Sequence, residues 1–209
     1  MSEPLLQAVD LHCDRDDRML FQGLGISIVP GTLTRVEGPN GSGKTTLLRI
    51  LAGLHDGYSG EVLWRGQPRA SRREEFLRNL LYIGHRPGIK PMLTPLENLR
   101  ALMAGRHSHP EKSLRAALDG SGLSGFHDVP SQNLSAGQQR RVALSRLLIS
   151  DEPLWILDEA FTAIDFQGVG RLEQLLQQRV ATGGAVIVTT HHPLSAPGMQ
   201  VVQLAQNAS

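Results

Sequence analysis

The stretch Gly38-Pro39-Asn40-Gly41-Ser42-Gly43-Lys44-Thr45 decides the fold of this chain of 209 residues. It matches the pattern G-x-x-x-x-G-K-[ST]. The short apolar segment Thr32–Glu37 precedes it and predicts a β-strand, and a helical pattern follows from residue 43 to residue 52. Glycines let such a loop bend so that successive backbone N–H groups point inward, and the helix start adds the positive end of its dipole. The sequence therefore predicts a strand, a phosphate-binding loop and a helix.

Side chains of this loop have separate expected roles at a nucleoside triphosphate. Lys44 is expected to reach the β- and γ-phosphates of ATP, and the hydroxyl group of Thr45 is expected to bind Mg²⁺. The rest of residues 38–45, together with Thr46, completes the expected nucleotide-binding set. A chance glycine-rich turn is the alternative, and the strand before the loop and the helix after it argue against that interpretation.

Two acidic residues, Asp158 and Glu159, follow the apolar segment Leu154–Leu157. Ligands bind at the carboxyl ends of parallel strands, so Asp158 is expected to face the Mg²⁺ ion and Glu159 to take a proton from the attacking water. A second apolar segment, Ala185–Thr190, ends at His191, which is expected to contact the γ-phosphate or to orient Glu159. The alternatives are solvated acids at a strand end and a histidine in a surface turn. With the phosphate loop upstream, the pattern favours a hydrolytic site.

The composition is that of a globular protein with balanced charge. Hydrophobic residues make up 40% of the chain and the formal net charge is +1, which argues against a dedicated nucleic-acid binder because such proteins carry a basic excess. The single cysteine, Cys13, has no partner for an internal disulfide, and neither a secretory signal nor a membrane-spanning apolar run occurs in the sequence. We therefore expect a soluble, cytosolic chain.

The order of predicted elements indicates one α/β domain with a helical insertion. Strands alternate with helices in the last third of the chain, which is typical of a mainly parallel sheet covered on both faces. In the middle, Thr94-Pro95-Leu96-Glu97 predicts a helix start, with Thr as N-cap, Pro at the first helical position and Glu closing a capping box. We predict a single domain, 1–209, with a catalytic part at 1–86 and 133–209 and a small helical subdomain at 87–132.

The stretch Leu134-Ser135-Ala136-Gly137-Gln138-Gln139-Arg140-Arg141 opens a long helix, predicted to run from Ala136 to Ile149. Ser135 as the N-cap and Gln138 as the third helical residue form a capping box. A well-capped helix is the simplest interpretation. A helix start of small residues with free N–H groups can also bind an anion. It would be the second phosphate-binding helix start in the chain, after the one that follows the phosphate loop, and this indicates a composite site.

These motifs occur in the order and places typical of ATP-binding-cassette (ABC) ATPases, which the chain resembles over nearly its whole length. Leu134–Gln138 resembles the signature motif of that family, and Thr162-Ala163-Ile164-Asp165 resembles its D-loop. The resemblance implies an α/β P-loop NTPase fold with a mainly parallel core sheet, an N-terminal antiparallel β part and a small helical subdomain. It also implies a homodimer in which each ATP lies between the phosphate loop of one copy and Ser135–Gln138 of the other. ATP would hold the dimer together and hydrolysis would release it.

The chain departs from the family pattern at several positions. Ala136 stands where Gly is usual, and Ala160 stands where Pro often follows the catalytic Glu. The family often stacks adenine on an aromatic residue near the end of the first strand, but Cys13–Asp17 contains none; Arg15 is the candidate replacement, and a solvated loop charge is the alternative. His85 occupies the place of the Q-loop glutamine. A contact of His85 to Mg²⁺ or water and a plain loop residue both stay open.

Longer stretches are similar to the ATP-binding subunits of cytochrome c biogenesis systems, known as haem exporter ATPases. They are Gly60–Pro68, Gly84–Lys90, Leu134–Arg146 and Leu154–Asp165. The similarity implies two copies bound at the cytoplasmic face of a bacterial inner membrane, paired with integral membrane permease subunits of the cytochrome c maturation complex. Hydrolysis would support delivery of haem through a haem chaperone, and none of the residues of this chain is expected to be a haem ligand.

The membrane partner is expected to dock on His85–Pro91 and the adjoining helix at 96–105, because this segment links the catalytic sheet to the helical subdomain. Two other functions stay open, an ABC subunit for another solute and a non-transport cassette acting on DNA or ribosomes. The latter usually carries two cassettes in one chain or a long coiled-coil insertion, which this sequence lacks. Nucleic acid is therefore not an expected partner.

Overall fold

The computed structural model describes residues 3–16, 18–105, 109–194, 196 and 198–204, and its contacts divide the chain into two compact units. The first unit comprises Met1–Tyr82, Glu152–Glu159 and Leu176–Ser209, and the second comprises Ile83–Asp151 and Ala160–Leu175. The second unit thus takes in residues on both sides of the segment 87–132. The division into a catalytic part and a helical subdomain stays a prediction.

The described residues form β-strands in two sheets, together with α-helices. The strands are β1 (Leu6–Arg15), β2 (Arg18–Ile28), β3 (Leu33–Glu37), β4 (Ser59–Trp64), β5 (Gln67–Pro68), β6 (Leu80–Ile83), β7 (Leu154–Leu157), β8 (Ala185–Thr189) and β9 (Gln200–Gln203). The helices are α1 (Lys44–Leu51), α2 (Arg73–Arg78), α3 (Pro95–Leu102), α4 (Glu111–Gly120), α5 (Ala136–Leu144) and α6 (Phe166–Ala181).

The N-terminal sheet has the strand order β2-β1-β4-β5, and its neighbouring strands run antiparallel. The hairpin of β1 and β2 is longer than its apolar segments at 5–11 and 20–29 predict, since pairing continues to Arg15 opposite Arg18. Backbone hydrogen bonds hold this extension, and Cys13 is its one buried residue between His12 and Arg15. Because the residues around the turn are polar, a search for hydrophobic patterns does not detect this extension of the hairpin.

The second sheet has the order β6-β7-β8-β3-β9, and the pairings β7–β8, β8–β3 and β3–β9 are parallel. Every residue of β7 and β8 is buried, which explains why both strands are continuous apolar runs without alternation. Because these strands are parallel, the loops after β3, β7 and β8 leave the sheet at the same edge. The α/β fold with a mainly parallel core sheet and an antiparallel N-terminal part is confirmed.

Helix α1 buries an apolar stripe in the core of the first unit. Its buried residues are Leu47, Leu48, Ile50 and Leu51. They pack in the same cluster as Leu6, Ile28, Trp64 and Ile156, and the whole cluster belongs to the first unit. Burial of a Leu or Ile side chain contributes about 1.5–3 kcal/mol, so this stripe fixes the helix that follows the phosphate loop.

The second unit has its own apolar core, to which α3, α4 and α5 contribute. Helix α3 begins at Pro95 with the predicted capping box between Thr94 and Glu97. Helix α5 ends at Leu144 rather than at the predicted Ile149, and a 3-10 turn, Ser145–Leu148, follows it. None of the helices in the described part of the chain has the length and apolar character that crossing a membrane requires.

Candidate functional site

The phosphate loop is a tight backbone cradle that leaves no room for side chains at two glycines. Gly38 has φ +153°, and a Cβ there would lie 2.5 Å from Ser42 Oγ and 2.7 Å from the carbonyl oxygen of Leu204. Gly43 has φ +92°, and its Cβ would lie 3.1 Å from the Cβ of Leu20. Gly38 and Gly43 are therefore favoured by both conformation and space.

Polar groups of the loop are arranged for an anion. The Nζ atom of Lys44 donates to the carbonyl oxygens of Gly38, at 2.6 Å, and Pro39, at 3.0 Å, so the ammonium group folds over the loop. Ser42 is 3% exposed, and its Oγ makes no hydrogen bond within the described residues. The first backbone N–H groups of α1 have no acceptor inside the helix, while the Thr45 side chain beside them is exposed and that of Thr46 is half-buried. These features fit a bound polyphosphate.

The two acids after β7 are joined through a threonine at the end of β8. The hydroxyl group of Thr189 donates to Oδ1 of Asp158 at 2.7 Å, and the backbone N–H of Glu159 donates to the same hydroxyl at 2.8 Å. Asp158 is 1% exposed and Thr189 is fully buried. One hydroxyl group thus fixes the carboxylate of one acid and the backbone of the next. Sequence reasoning missed Thr189, because the sequence does not show that β8 lies beside β7.

Glu159 and His191 face each other across this edge of the sheet. Nε2 of His191 lies 3.5 Å from Oε1 of Glu159, an ion-pair distance when the imidazole is protonated. The Glu159 side chain is 17% exposed and that of His191 is 67% exposed. Glu159 also has φ +52°, which is uncommon for a residue with a Cβ. Strained backbone of this kind occurs at functional sites, where the surroundings hold the residue in place.

Tyr82 adds a neutral phenol to the same region. It lies in β6, the neighbour of β7, and burial raises its pKa to about 12. The negative charge of Asp158 also raises that pKa, while Arg49 acts in the opposite direction. Tyr82 therefore keeps its proton at physiological pH and does not add a second negative charge beside Asp158.

The start of α5 belongs to the second unit and has the predicted capping box. The backbone N–H of Gln138 donates to Ser135 Oγ at 3.2 Å, and the backbone N–H of Ser135 donates to Oε1 of Gln138 at 2.8 Å. This reciprocal pair satisfies the third helical N–H and leaves those of Ala136 and Gly137, which have no acceptor inside the helix. A Cβ on Gly137 would lie 2.6 Å from the carbonyl oxygen of Ala163, so the D-loop segment packs directly on this helix start.

Arg15 and His85 lie at the surface. The Nε atom of Arg15 is 3.4 Å from Oδ2 of Asp16, and the Arg15 side chain is 72% exposed. The His85 side chain is exposed, and its backbone carbonyl oxygen accepts a hydrogen bond from Nη1 of Arg140 at 3.2 Å. Adenine stacking by Arg15 and metal binding by His85 stay predictions.

The residues predicted to bind Mg²⁺ do not surround the ion with protein ligands alone. Within the part of the chain that the structure describes, no group of three His, Cys, Asp or Glu side chains converges as a metal site. Mg²⁺ commonly takes one or two carboxylates plus substrate phosphates and water, so a hydroxyl from Thr45 and a carboxylate from Asp158 suffice for it. The donor set at the sheet edge fits this ion.

The fold and the site define an ATPase of the P-loop class. The loop after β3, the acids after β7 and the histidine after β8 leave the parallel sheet at one edge, where ligands bind in open α/β sheets. The capped start of α5 and the D-loop segment packed on it are the parts that the cassette ATPases add to this arrangement.

Comparisons with known proteins give the same class. A family model described as "ABC transporter" matches residues 21–162. The chain is 53% identical over 195 residues to the cytochrome c biogenesis ATP-binding export protein CcmA of Hahella chejuensis, covering 93% of this chain and 92% of that protein. It is 51% identical over 201 residues to CcmA 2 of Salmonella paratyphi A, covering 96% of each chain. The chain belongs to the ABC transporter family, in the group of cytochrome c biogenesis ATP-binding export proteins.

Solved structures agree on the fold. The dimeric structure of a bacterial ABC transporter cassette superimposes with a TM-score of 0.83 at 23% identity, covering 96% of this chain and 94% of that one. A second dimeric structure of the same cassette, in a post-hydrolysis state bound to ADP and Pi, gives a TM-score of 0.77 at 24% identity, covering 90% and 88%.

Proposed function

We propose that this chain is the ATP-hydrolysing subunit of a bacterial inner-membrane ABC complex for c-type cytochrome biogenesis, and that hydrolysis drives haem export or release through a haem chaperone. The observation that carries the biological role is the identity of 49–53% to cytochrome c biogenesis ATP-binding export proteins over more than nine-tenths of the chain. The chain would bind peripherally at the cytoplasmic face of the membrane through integral membrane permease subunits.

The phosphate loop would hold the triphosphate of ATP. Backbone N–H groups of Gly38–Thr45 and the ammonium group of Lys44 would bind the phosphate oxygens. Thr45 and Asp158 would hold Mg²⁺, which neutralises charge on the β- and γ-phosphates when it is bound. The buried hydrogen bond from Thr189 keeps the Asp158 carboxylate in one orientation. Arg15 is the proposed contact for the adenine base.

Glu159 would act as the general base for the attacking water. Its backbone is fixed by Thr189, and its carboxylate faces the imidazole of His191. His191 would hold that carboxylate in position and contact the γ-phosphate. General-base assistance typically contributes a rate factor of about 10²–10⁴.

A second copy of the chain would complete each site. The free N–H groups at the start of α5 and the hydroxyl of Ser135 are donors for an anion, and they would bind the γ-phosphate held by the partner copy. This places Ser135, Ala136, Gly137 and Gln138 across the dimer interface. Likeness to two dimeric structures of one ABC cassette supports the arrangement at the level of the fold.

The test is complementation of a bacterium that lacks its own subunit of this kind. We expect the wild-type chain to restore covalent haem in c-type cytochromes, and Lys44→Ala and Glu159→Gln to fail although both accumulate to the wild-type level. Haem in b-type cytochromes is the control and should not change. If Glu159→Gln restores c-type cytochromes, ATP hydrolysis through Glu159 is not needed for the function. If the wild-type chain does not restore them, the proposed role in cytochrome c biogenesis is wrong.

A further inference from the structure

A cavity of about 290 Å³ lies within the second unit, whereas the phosphate loop belongs to the first. Its walls come from the end of α4, the end of α5 with the 3-10 turn behind it, and the first turns of α6. The volume is close to the lower limit of small-molecule sites, which span about 300–1,000 Å³. The proposed function assigns no role to this cavity.

Two guanidinium groups converge at one side of the cavity. The Nη1 atoms of Arg141 and Arg171 lie 3.3 Å and 3.6 Å from a single point, the position that a Cβ on Gly122 would occupy. Arg141 also pairs with Oδ2 of Asp165 at 3.3 Å. Arg171 makes neither a hydrogen bond nor an ion pair with any residue that the structure describes. One positive charge of the pair is therefore left without a carboxylate, and a guanidinium group binds carboxylates strongly through paired N–H donors.

Apolar side chains line another part of the cavity. They are Ile164 and the leucines Leu144, Leu147, Leu148, Leu172 and Leu175. Leu148 packs against Gly120, where an added Cβ would lie 3.0 Å from the Cδ1 atom of Leu148. The Leu148 residue is nevertheless 43% exposed. A ligand with an apolar body would cover Leu148 and remove that surface from water, which is favourable by about 25 cal/mol per Å².

The charge balance selects the head group of the ligand. Asp165 already neutralises one of the two arginines, so the cavity offers about one net positive charge. A carboxylate carries a single negative charge, whereas a phosphate monoester carries about −1.5 to −2 at pH 7. A monoanion therefore matches the site better.

We propose that this cavity is a binding site for a small amphiphilic carboxylate, with the head group between Arg141 and Arg171 and the apolar body against the leucines. The site also contacts elements that serve ATP hydrolysis, because Arg141 and Leu144 belong to α5 and Asp165 ends the D-loop segment. The bound carboxylate is thus an effector: it stabilises one arrangement of α5 and the D-loop, and ATP turnover changes with its concentration.

Calorimetric titration of the full chain with decanoate, below its micellar concentration, tests the binding step. We expect decanoate to bind at one site, and decanol and acetate to bind at least tenfold more weakly, because each lacks the head group or the apolar body. Arg171→Leu should weaken decanoate binding about tenfold or more, and Arg171→Lys should weaken it less. Arg171 is exposed on α6, so both variants should keep the wild-type circular dichroism spectrum.

Arg73→Leu is the matched control, because Arg73 is an exposed arginine at the start of α2 and does not line the cavity. It should bind decanoate as the wild type does. Equal affinity for decanoate and decanol, or unchanged affinity for decanoate in Arg171→Leu, would overturn the proposed site.

The effector role is measured as ATP turnover against decanoate concentration. We expect a saturable change in the wild type that shifts to about tenfold higher decanoate in Arg171→Leu, and turnover that does not respond to saturating decanoate would overturn that role.

Discussion

At the scale of single residues, the hydroxyl group of Thr189 organises the two acids that follow β7. It donates to the carboxylate of Asp158 and accepts from the backbone N–H of Glu159, and no solvent reaches it. The proposed base is therefore positioned by a buried contact on β8 as well as by its own strand. A residue of this kind acts through its neighbours and touches neither water nor phosphate in the proposed mechanism.

We predict that Thr189→Val lowers ATP turnover about tenfold to a hundredfold and changes ATP affinity little. Valine has the shape of threonine but removes the hydroxyl group that bonds to the buried carboxylate and to the N–H, and the loss of such a contact costs about 1–3 kcal/mol. Steady-state turnover and equilibrium nucleotide binding separate the two effects. Thr189→Ser keeps the hydroxyl and should recover most of the turnover. Equal turnover in the Val variant and the wild type would contradict the positioning role.

The sequence predicts the acids at this site but not what holds them. Asp158 and Glu159 follow an apolar run, and acids there are conspicuous. Thr189 and Tyr82 lie inside apolar segments, where threonine and tyrosine are ordinary strand residues. Their relation to Asp158 depends on which strands become neighbours, and the order of strands in the sheet is a tertiary property.

At the scale of elements, the start of α5 and the D-loop segment form one packed piece. Gly137 approaches the carbonyl oxygen of Ala163, which itself has φ +61°. Asp165, two residues further on, accepts from the backbone N–H of Gly168 at 2.8 Å and so caps α6, while its other oxygen pairs with Arg141. A shift of one element would therefore be transmitted to the other.

Gly137→Ala should lower ATP turnover and leave nucleotide binding to the phosphate loop unchanged. A methyl group at 2.6 Å from a backbone oxygen must displace the D-loop segment, and overpacking of this kind costs about 1–3 kcal/mol. Gly170→Ala is the control, because Gly170 lies in α6 with no atom within 4 Å of its added Cβ. That variant should be as stable as the wild type or more so. If both variants hydrolysed ATP equally fast, the close approach of Gly137 to Ala163 would not matter for turnover.

The capping box of α3 gives a stability that depends on pH. Hydrogen bonds from the backbone N–H and the hydroxyl of Thr94 lower the pKa of Glu97. A lowered pKa in the folded state means that this contribution is present above the ordinary pKa of glutamate and is lost as the pH falls through the folded value. Thr94→Ala should destabilise the chain by about 1 kcal/mol at pH 7, and by less below pH 4. Urea denaturation at both pH values measures it, and an equal loss at both would contradict the account.

Element boundaries show where prediction from sequence ends. The capping boxes at Thr94 and Ser135 were predictable because they are local patterns of four residues. The early end of α5 was not, since residues 145–148 keep a helical composition and tighten into a 3-10 turn in which Ser145 Oγ donates to the carbonyl oxygen of Val142 at 2.8 Å. Helix α2 was missed because its short sequence, Arg73–Arg78, is mainly charged and lacks an apolar period.

At the scale of the whole molecule, His85–Pro91 and the adjoining helix at 96–105 are the proposed dock for the membrane permease subunits. Asn98, 1% exposed, fixes the chain between these two parts: Lys90 N–H donates to its Oδ1 at 2.8 Å, and its Nδ2 lies within hydrogen-bond distance of the carbonyl oxygens of Lys90, Leu93 and Thr94 and of Ser131 Oγ. Met92, which lies between the two parts, is 76% exposed. An ordered loop with an exposed apolar tip suits a protein partner.

Reversing the charges of Lys90 and Arg100 together, to Glu, should release the chain from its membrane subunits and leave ATP binding intact. Arg100 pairs with Glu111 at 2.8 Å at the surface, and an exposed ion pair contributes only about 0–1 kcal/mol, so the fold should survive. Arg78→Glu is the control, since Arg78 is also exposed and paired, on α2. The measurement is recovery of the permease subunits with the tagged chain from detergent-solubilised membranes. Equal recovery for the double variant and the control would exclude this dock.

In the proposed dimer, two copies of the chain share each nucleotide. Mixing two inactive variants tests this sharing most directly. Lys44→Ala breaks the phosphate loop and keeps the start of α5, whereas Ser135→Arg blocks the start of α5 and keeps the phosphate loop. Under conditions in which the wild type hydrolyses ATP, each variant alone should be inactive. Their mixture should regain turnover, because a mixed dimer contains one site with both halves intact. A mixture of Lys44→Ala with Asp158→Asn, two changes on the phosphate-loop side, should stay inactive. A Lys44→Ala and Ser135→Arg mixture as inactive as that control would contradict the shared site.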